Sequence, residues 1–201
     1  MVVKFRAAIV SLVLILNVTG LSHAAVELTK ENGDRLQQKL DALQRNAATI
    51  PIAPRQTSAS QNEVNSYLTF NLREKMPAGL IEPYVTVIGD GRVAGRIFMD
   101  MDEFNRRRRS RGLIDPLNFL SGKVPLTATG TLRTENGQGR FTLASAEIQG
   151  VPLPKPILQE IVSFFSRTRD NPNGFGMDKP FNLPVKIREV FLNREKVTVV
   201  Q

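Results

Sequence analysis

The residues able to do acid–base or metal chemistry are few, and most are carboxylates. His23 is the single histidine of the 201 residues, and there is no Cys and no Trp. Asp100, Asp102 and Glu103 form an acidic cluster. Such a cluster suits an oxygen-ligated calcium ion, or a solvated strand end facing the neighbouring arginines. Asp170-Asn171-Pro172-Asn173-Gly174 has the composition of a calcium loop without its alternate-position spacing, so a plain turn is expected. No nucleophile elbow, phosphate-binding loop or dinucleotide fingerprint occurs; Gly89, Gly91 and Gly95 miss the last of these in spacing. A carboxylate-dependent hydrolase is the one enzyme class left open, and no carboxylate pair stands out.

The densest charged motif is Arg106-Arg107-Arg108-Arg109-Ser110-Arg111, followed closely by Leu113, Ile114, Leu117, Phe119 and Leu120. Basic groups beside a short apolar segment suit an anionic membrane surface, where each contributes about 1 kcal/mol. A solvated loop paired with Asp100, Asp102 and Glu103 is the other reading. Nucleic acid is not expected as a partner, because interleaved aromatics are missing.

The N-terminus bears on all of this. Lys4 and Arg6 precede an apolar run over residues 7–18, and Ser22-His23-Ala24 offers small residues at the positions before a cut. This pattern predicts a secretory signal peptide over residues 1–24, cleaved near Ala24. The run is about 12 residues, short of the ~20 that span a bilayer. A periplasmic or extracellular location is therefore expected. Cleavage would remove His23 and with it the Ser–His and Cys–His mechanisms and most zinc sites. A non-enzymatic protein without cofactor or metal is expected. The full chain holds 27 basic and 19 acidic residues, for a formal charge of +8, so its counter-charges are expected to be lipid head groups or acidic envelope polymers. A cysteine-free chain must rely on packing for stability.

The elements that would position these residues follow from periodicity. Residues 34–50 predict an amphipathic helix, with Leu36, Leu40, Leu43, Ala47 and Ile50 on one stripe that could dock on the domain or pair with a partner. Residues 49–60 read as a Pro-rich linker or an extended segment. Ser60-Gln61-Asn62-Glu63 is a capping box opening a second helix with Val64, Tyr67, Leu68 and Leu72 on its apolar face. Hairpins are expected about Gly89-Asp90-Gly91 and the turn at residues 135–139. A third is expected with strands at residues 185–192 and 196–200. A broad-faced helix over residues 156–167 carries Ile157, Leu158, Ile161, Val162, Phe164 and Phe165. The fold class is α+β: one curved antiparallel meander of about six strands wrapped around a long apolar helix, with N-terminal helices. The expected division is a signal peptide (1–24), an N-terminal helix and linker (25–56) and an α+β domain (57–201).

The order of these motifs resembles a known group. It runs from the Ser/Thr-rich lead into the capped helix, through Glu147-Ile148-Gln149-Gly150-Val151-Pro152-Leu153-Pro154, to Leu183-Pro184-Val185-Lys186-Ile187 and a valine-rich last strand. It is similar to LmeA-like and YpmS-like secreted bacterial proteins, akin to AsmA-type repeats and tubular lipid-binding domains. The resemblance covers residues 58–201 and implies a curved sheet around a helix with a groove for acyl chains. It carries over no catalytic residue.

The expected function is binding of a lipid or other long apolar molecule between helix and sheet. Ile157, Ile161, Phe164, Phe165, Ala128 and Gly130 would contact the ligand. Arg106, Arg107, Arg108, Arg109 and Arg111 would meet a membrane or head group. The alternative is an envelope scaffold with a filled core that meets a protein partner through the helix at 34–50.

Overall fold

The structure is a computed structural model that describes residues 27–50, 53–108, 116–167, 169 and 171–201. The expected signal peptide, Arg109, Arg111 and Asp170 lie outside these residues.

Helix α1 spans Lys30–Ala47, and its N-cap Thr29 accepts from the Asn32 amide at 3.2 Å. Leu36 and Leu43 are buried, whereas Leu40 and Ile50 are exposed. The inward part of the stripe docks on α2 (Gln61–Ser66). Gly33 permits the close approach: a Cβ there would lie 3.1 Å from the Ser66 backbone and 2.3 Å from Asn71 Oδ1. That contact explains a glycine at a helix position where it costs about 1 kcal/mol relative to alanine. Lys39 Nζ adds a 2.7 Å ion pair with Glu63.

The expected capping box is present: Ser60 Oγ accepts from the Glu63 amide (3.1 Å) and Glu63 accepts from the Ser60 amide (2.8 Å). Beyond Ser66 the helix widens into a π-helical turn, Tyr67–Asn71. The apolar face expected here is only half-buried; Asn65 and Ser66 are the buried residues. Asn65 explains the difference. Its amide gives a hydrogen bond to the Val85 carbonyl (2.8 Å) and takes one from the Val85 N–H (2.7 Å). It thus satisfies groups that an edge strand leaves unpaired.

The main sheet is antiparallel and six-stranded. Strands β2 (Leu80–Gly89), β3 (Arg92–Asp100), β4 (Lys123–Glu135) and β5 (Gln138–Ile148) form a meander. The short strands β6 (Val151–Pro152) and β7 (Phe181–Asn182) pair with opposite ends of β5. The hairpin turns carry Asp90-Gly91 and Asn136-Gly137 at positive φ, as two-residue hairpin loops require. Strand β2 starts earlier than the alternation suggests, because a bulge between Ile81 and Tyr84 interrupts its register around Pro83.

The third hairpin does not extend this meander. Strands β8 (Glu189–Asn193) and β9 (Lys196–Val200) form a separate sheet with β1 (Gln56–Ser60), in the order β1-β9-β8. The sequence Gln-Thr-Ser-Ala-Ser falls in the stretch expected to be linker or extended chain; it is extended, and its pairing rests on the backbone ladder to β9. The early start expected for β8 also fails, since Val185 and Lys186 have φ of 48° and 56°.

Helix α3 (Met101–Arg107) follows β3, and a 3₁₀ turn (Pro116–Phe119) precedes β4. Helix α4 (Lys155–Phe165) has eleven residues, shorter than the long helix expected. Proline in its first turn costs little, because that N–H has no intrahelical partner. The main core joins Met99, Val124, Leu126, Ala146 and Ile148 of the sheet to Met101 and Phe104 of α3 and Leu158 and Ile161 of α4.

Candidate functional site

Across the sheet face that looks toward α4, register brings small residues into one row. Val85, Gly95, Ala128 and Ala146 are successive cross-strand partners on β2, β3, β4 and β5. The next row, Ile97, Leu126 and Ile148, is bulky. A row of small side chains beside a row of large ones makes a trough in the sheet surface. Gly95 marks its floor: a Cβ added there meets no atom within 4 Å. Glycine inside a strand weakens it unless something approaches closely, so open space above Gly95 is a site feature.

Above the trough lies α4, with Leu158 and Val162 one turn apart on the facing side. Residues 171–180 fold back over the helix. Gln159 holds this loop twice, giving a hydrogen bond to the Phe175 carbonyl (2.8 Å) and accepting one from the Met177 amide (2.9 Å). Ser166 Oγ accepts from the Phe175 amide at 2.6 Å, and Lys155 pairs with Asp178 at 2.6 Å. Gly174, at φ 71°, lets the loop touch the helix; a Cβ there would lie 2.2 Å from the Ser163 carbonyl oxygen. The loop thereby sets Phe175 and Met177 against the trough.

Helix, loop and sheet line an open, groove-like cavity of about 360 Å³ whose exposed wall is apolar throughout. Its volume falls in the range of small-molecule pockets, roughly 300–1,000 Å³. Arg96 borders it from β3, but its guanidinium lies over the rings of Tyr84 and Phe98 at 5.8 and 6.0 Å.

Of the residues expected to contact a ligand, Ala128 lines this cavity. Gly130 sits one row away, where a Cβ would lie 2.3 Å from the Phe141 ring; that glycine accommodates the ring. Ile161 is in the core, and Phe164 and Phe165 pack on Phe104 with ring centroids 5.0 and 5.7 Å apart. Ile157 borders a separate shallow depression beside Pro156. The broad apolar face of α4 thus serves two purposes, and Leu158 and Val162 are its cavity side. Both were expected on the apolar face of the helix but not as ligand contacts, and Phe175 and Met177 were not expected at the site. The available signal was Gly95, a glycine in the interior of an alternating strand.

Arg106, Arg107 and Arg108 of the arginine run are engaged locally. Glu103 takes both Arg106 and Arg107, the latter at 3.3 Å. Arg108 is buried, 3.3 Å from Glu160 and 5.3 Å above the Phe104 ring. It ties α3 to α4. The acidic cluster is equally occupied. Asp100 caps α3 through the Glu103 amide (2.9 Å), and Asp102 accepts from the Gly122 amide (3.2 Å). Among the described residues no cluster of three His, Cys, Asp or Glu side chains could hold a metal ion. No described helix is long and apolar enough to cross a membrane.

Among the described residues, Glu63 and Asp34 have clearly lowered pKa values, and both secure α1. Burial pushes Glu63 up, but hydrogen bonds from Lys39 and the Ser60 amide, with the Lys39 charge, bring it below its ordinary 4.5. Asp34 is lowered by hydrogen bonds from Lys30 and Asn71. Comparison of the chain with protein-family models, curated proteins and solved structures finds no match.

Proposed function

We propose that this is an exported, non-enzymatic protein that binds a lipid or another long apolar molecule in the cavity between α4 and the main sheet. The observation that carries the reading is the apolar cavity with Gly95 open on its floor. A side chain could occupy that space and stabilise the strand, yet the position is left bare. The resemblance to LmeA-like proteins, with a curved sheet wrapped around a helix, supports the same reading, as does the signal-peptide pattern of residues 1–24. Each buried methylene contributes about 0.8 kcal/mol. Ordering a flexible chain offsets part of that.

Uptake of a fluorescent fatty acid, followed by its emission on titration with the mature protein, tests the reading. Wild type is expected to bind saturably. Gly95→Leu and Ala128→Leu, which fill the trough, are expected to keep the far-UV spectrum and weaken uptake by about tenfold or more. Absence of uptake by wild type, or equal uptake by both filled variants, contradicts it.

A further inference from the structure

The opposite face of the main sheet carries a second feature, independent of the cavity. Arg133 of β4 and Arg140 of β5 are direct register partners. Side chains so placed emerge on the same face with Cβ atoms about 5 Å apart, and like charges there repel. Both residues are exposed, and neither makes an ion pair or hydrogen bond with its guanidinium among the described residues. The row beside them continues the pattern. Thr131 and Thr142 are register partners, and Arg92 of β3 stands opposite Thr131. Arg92 has only a long contact to Asp90, 3.8 Å between two largely exposed groups. Three guanidinium groups and two hydroxyls therefore share a small area of one face. Glu135, Glu189 and Asp90 border the open cleft beside this hairpin, as Arg133 and Arg140 do, yet none lies within ion-pair distance of either arginine.

The geometry points to a phosphate-binding site, with Arg133 and Arg140 as the two forks and Arg92, Thr131 and Thr142 at its border. A tetrahedral oxyanion accepts bidentate hydrogen bonds from guanidinium groups, and a phosphomonoester carries about −1.5 to −2 charges at neutral pH, matching the opposed pair. Such an anion between the two arginines would convert a repulsive pair into a bridged one. The contrast with the longer arginine run is informative. Arg106, Arg107 and Arg108 already have carboxylate partners, whereas Arg133 and Arg140 have none among the described residues. The phosphate would come from a lipid head group or from a free phosphorylated ligand.

The test titrates the mature protein with inorganic phosphate against sodium chloride at matched ionic strength, reading the thermal unfolding midpoint and arginine side-chain NMR signals. Wild type is expected to be stabilised by phosphate beyond the chloride control, with shifts at Arg133 and Arg140. The R133Q/R140Q variant is expected to lose the response, its phosphate affinity falling about tenfold or more. An R106Q/R107Q variant is expected to keep it. In dilute buffer without phosphate, R133Q/R140Q should be at least as stable as wild type. Vesicles of phosphatidic acid, whose head group is a phosphomonoester, and of phosphatidylcholine separate the sources. Binding to the anionic vesicles that R133Q/R140Q abolishes assigns a lipid head group; phosphate binding without vesicle binding assigns a free ligand. A wild type that phosphate stabilises no more than chloride, a double variant that responds as wild type does, or one less stable in dilute buffer would overturn the site.

Discussion

Gly95 and Gly130 are both glycines in alternating strands, and they do opposite things. One is open to a cavity and the other sits under an aromatic ring. No local pattern separates them, because the difference lies in what α4 and Phe141 bring from elsewhere in the chain. The Ser60–Glu63 capping box was legible at once, since both partners lie within one helical turn. Its third member was not: Lys39 reaches Glu63 from 24 positions away. That contact yields a pH prediction. Glu63 has a lowered pKa in the folded protein, so its contribution is full above 4.5 and is lost as pH falls through the folded value. Glu63→Gln keeps the cap and removes the charge. Urea unfolding at neutral pH should place it about 1 kcal/mol below wild type. The gap should close as the pH drops below 4.5. A gap unchanged in acid would mean that the charge is not what stabilises this helix pair.

At the scale of elements, the hairpins at Asp90-Gly91 and Asn136-Gly137 were readable because turn residues announce themselves. Strand β1 was legible only as linker or extended chain, because the pairing of a polar edge strand is specified by its partner's backbone. Helix α4 was found from its apolar face, but which side meets the cavity depends on the returning loop. That loop depends on Gln159, whose amide both gives to Phe175 and takes from Met177. Gln159→Ala should leave the helix in place and free the loop. Hydrogen exchange at the Met177 amide should accelerate, release of a bound acyl probe should quicken, and global stability should fall by about 1–2 kcal/mol. Exchange unchanged at Met177 would show that Gly174 and Ser166 alone hold the loop.

At the scale of the whole molecule, a chain of +8 formal charge forms, among the described residues, two sheets and an apolar groove under α4. The expected α+β class and the meander of the main sheet agree with the structure; the division into two sheets came from pairings that span most of the chain. Arg106, Arg107 and Arg108, prominent in sequence, are paired in space, whereas Arg133 and Arg140, seven positions apart and unremarkable in sequence, become neighbours through a hairpin. The central claim is that the cavity holds an apolar molecule. Native mass spectrometry of protein purified from the cells that make it, with solvent extraction of the same sample, tests this most directly. Wild type should carry an extractable apolar adduct that is absent from Gly95→Leu prepared in parallel. A bare wild-type mass with no extractable lipid would contradict the account.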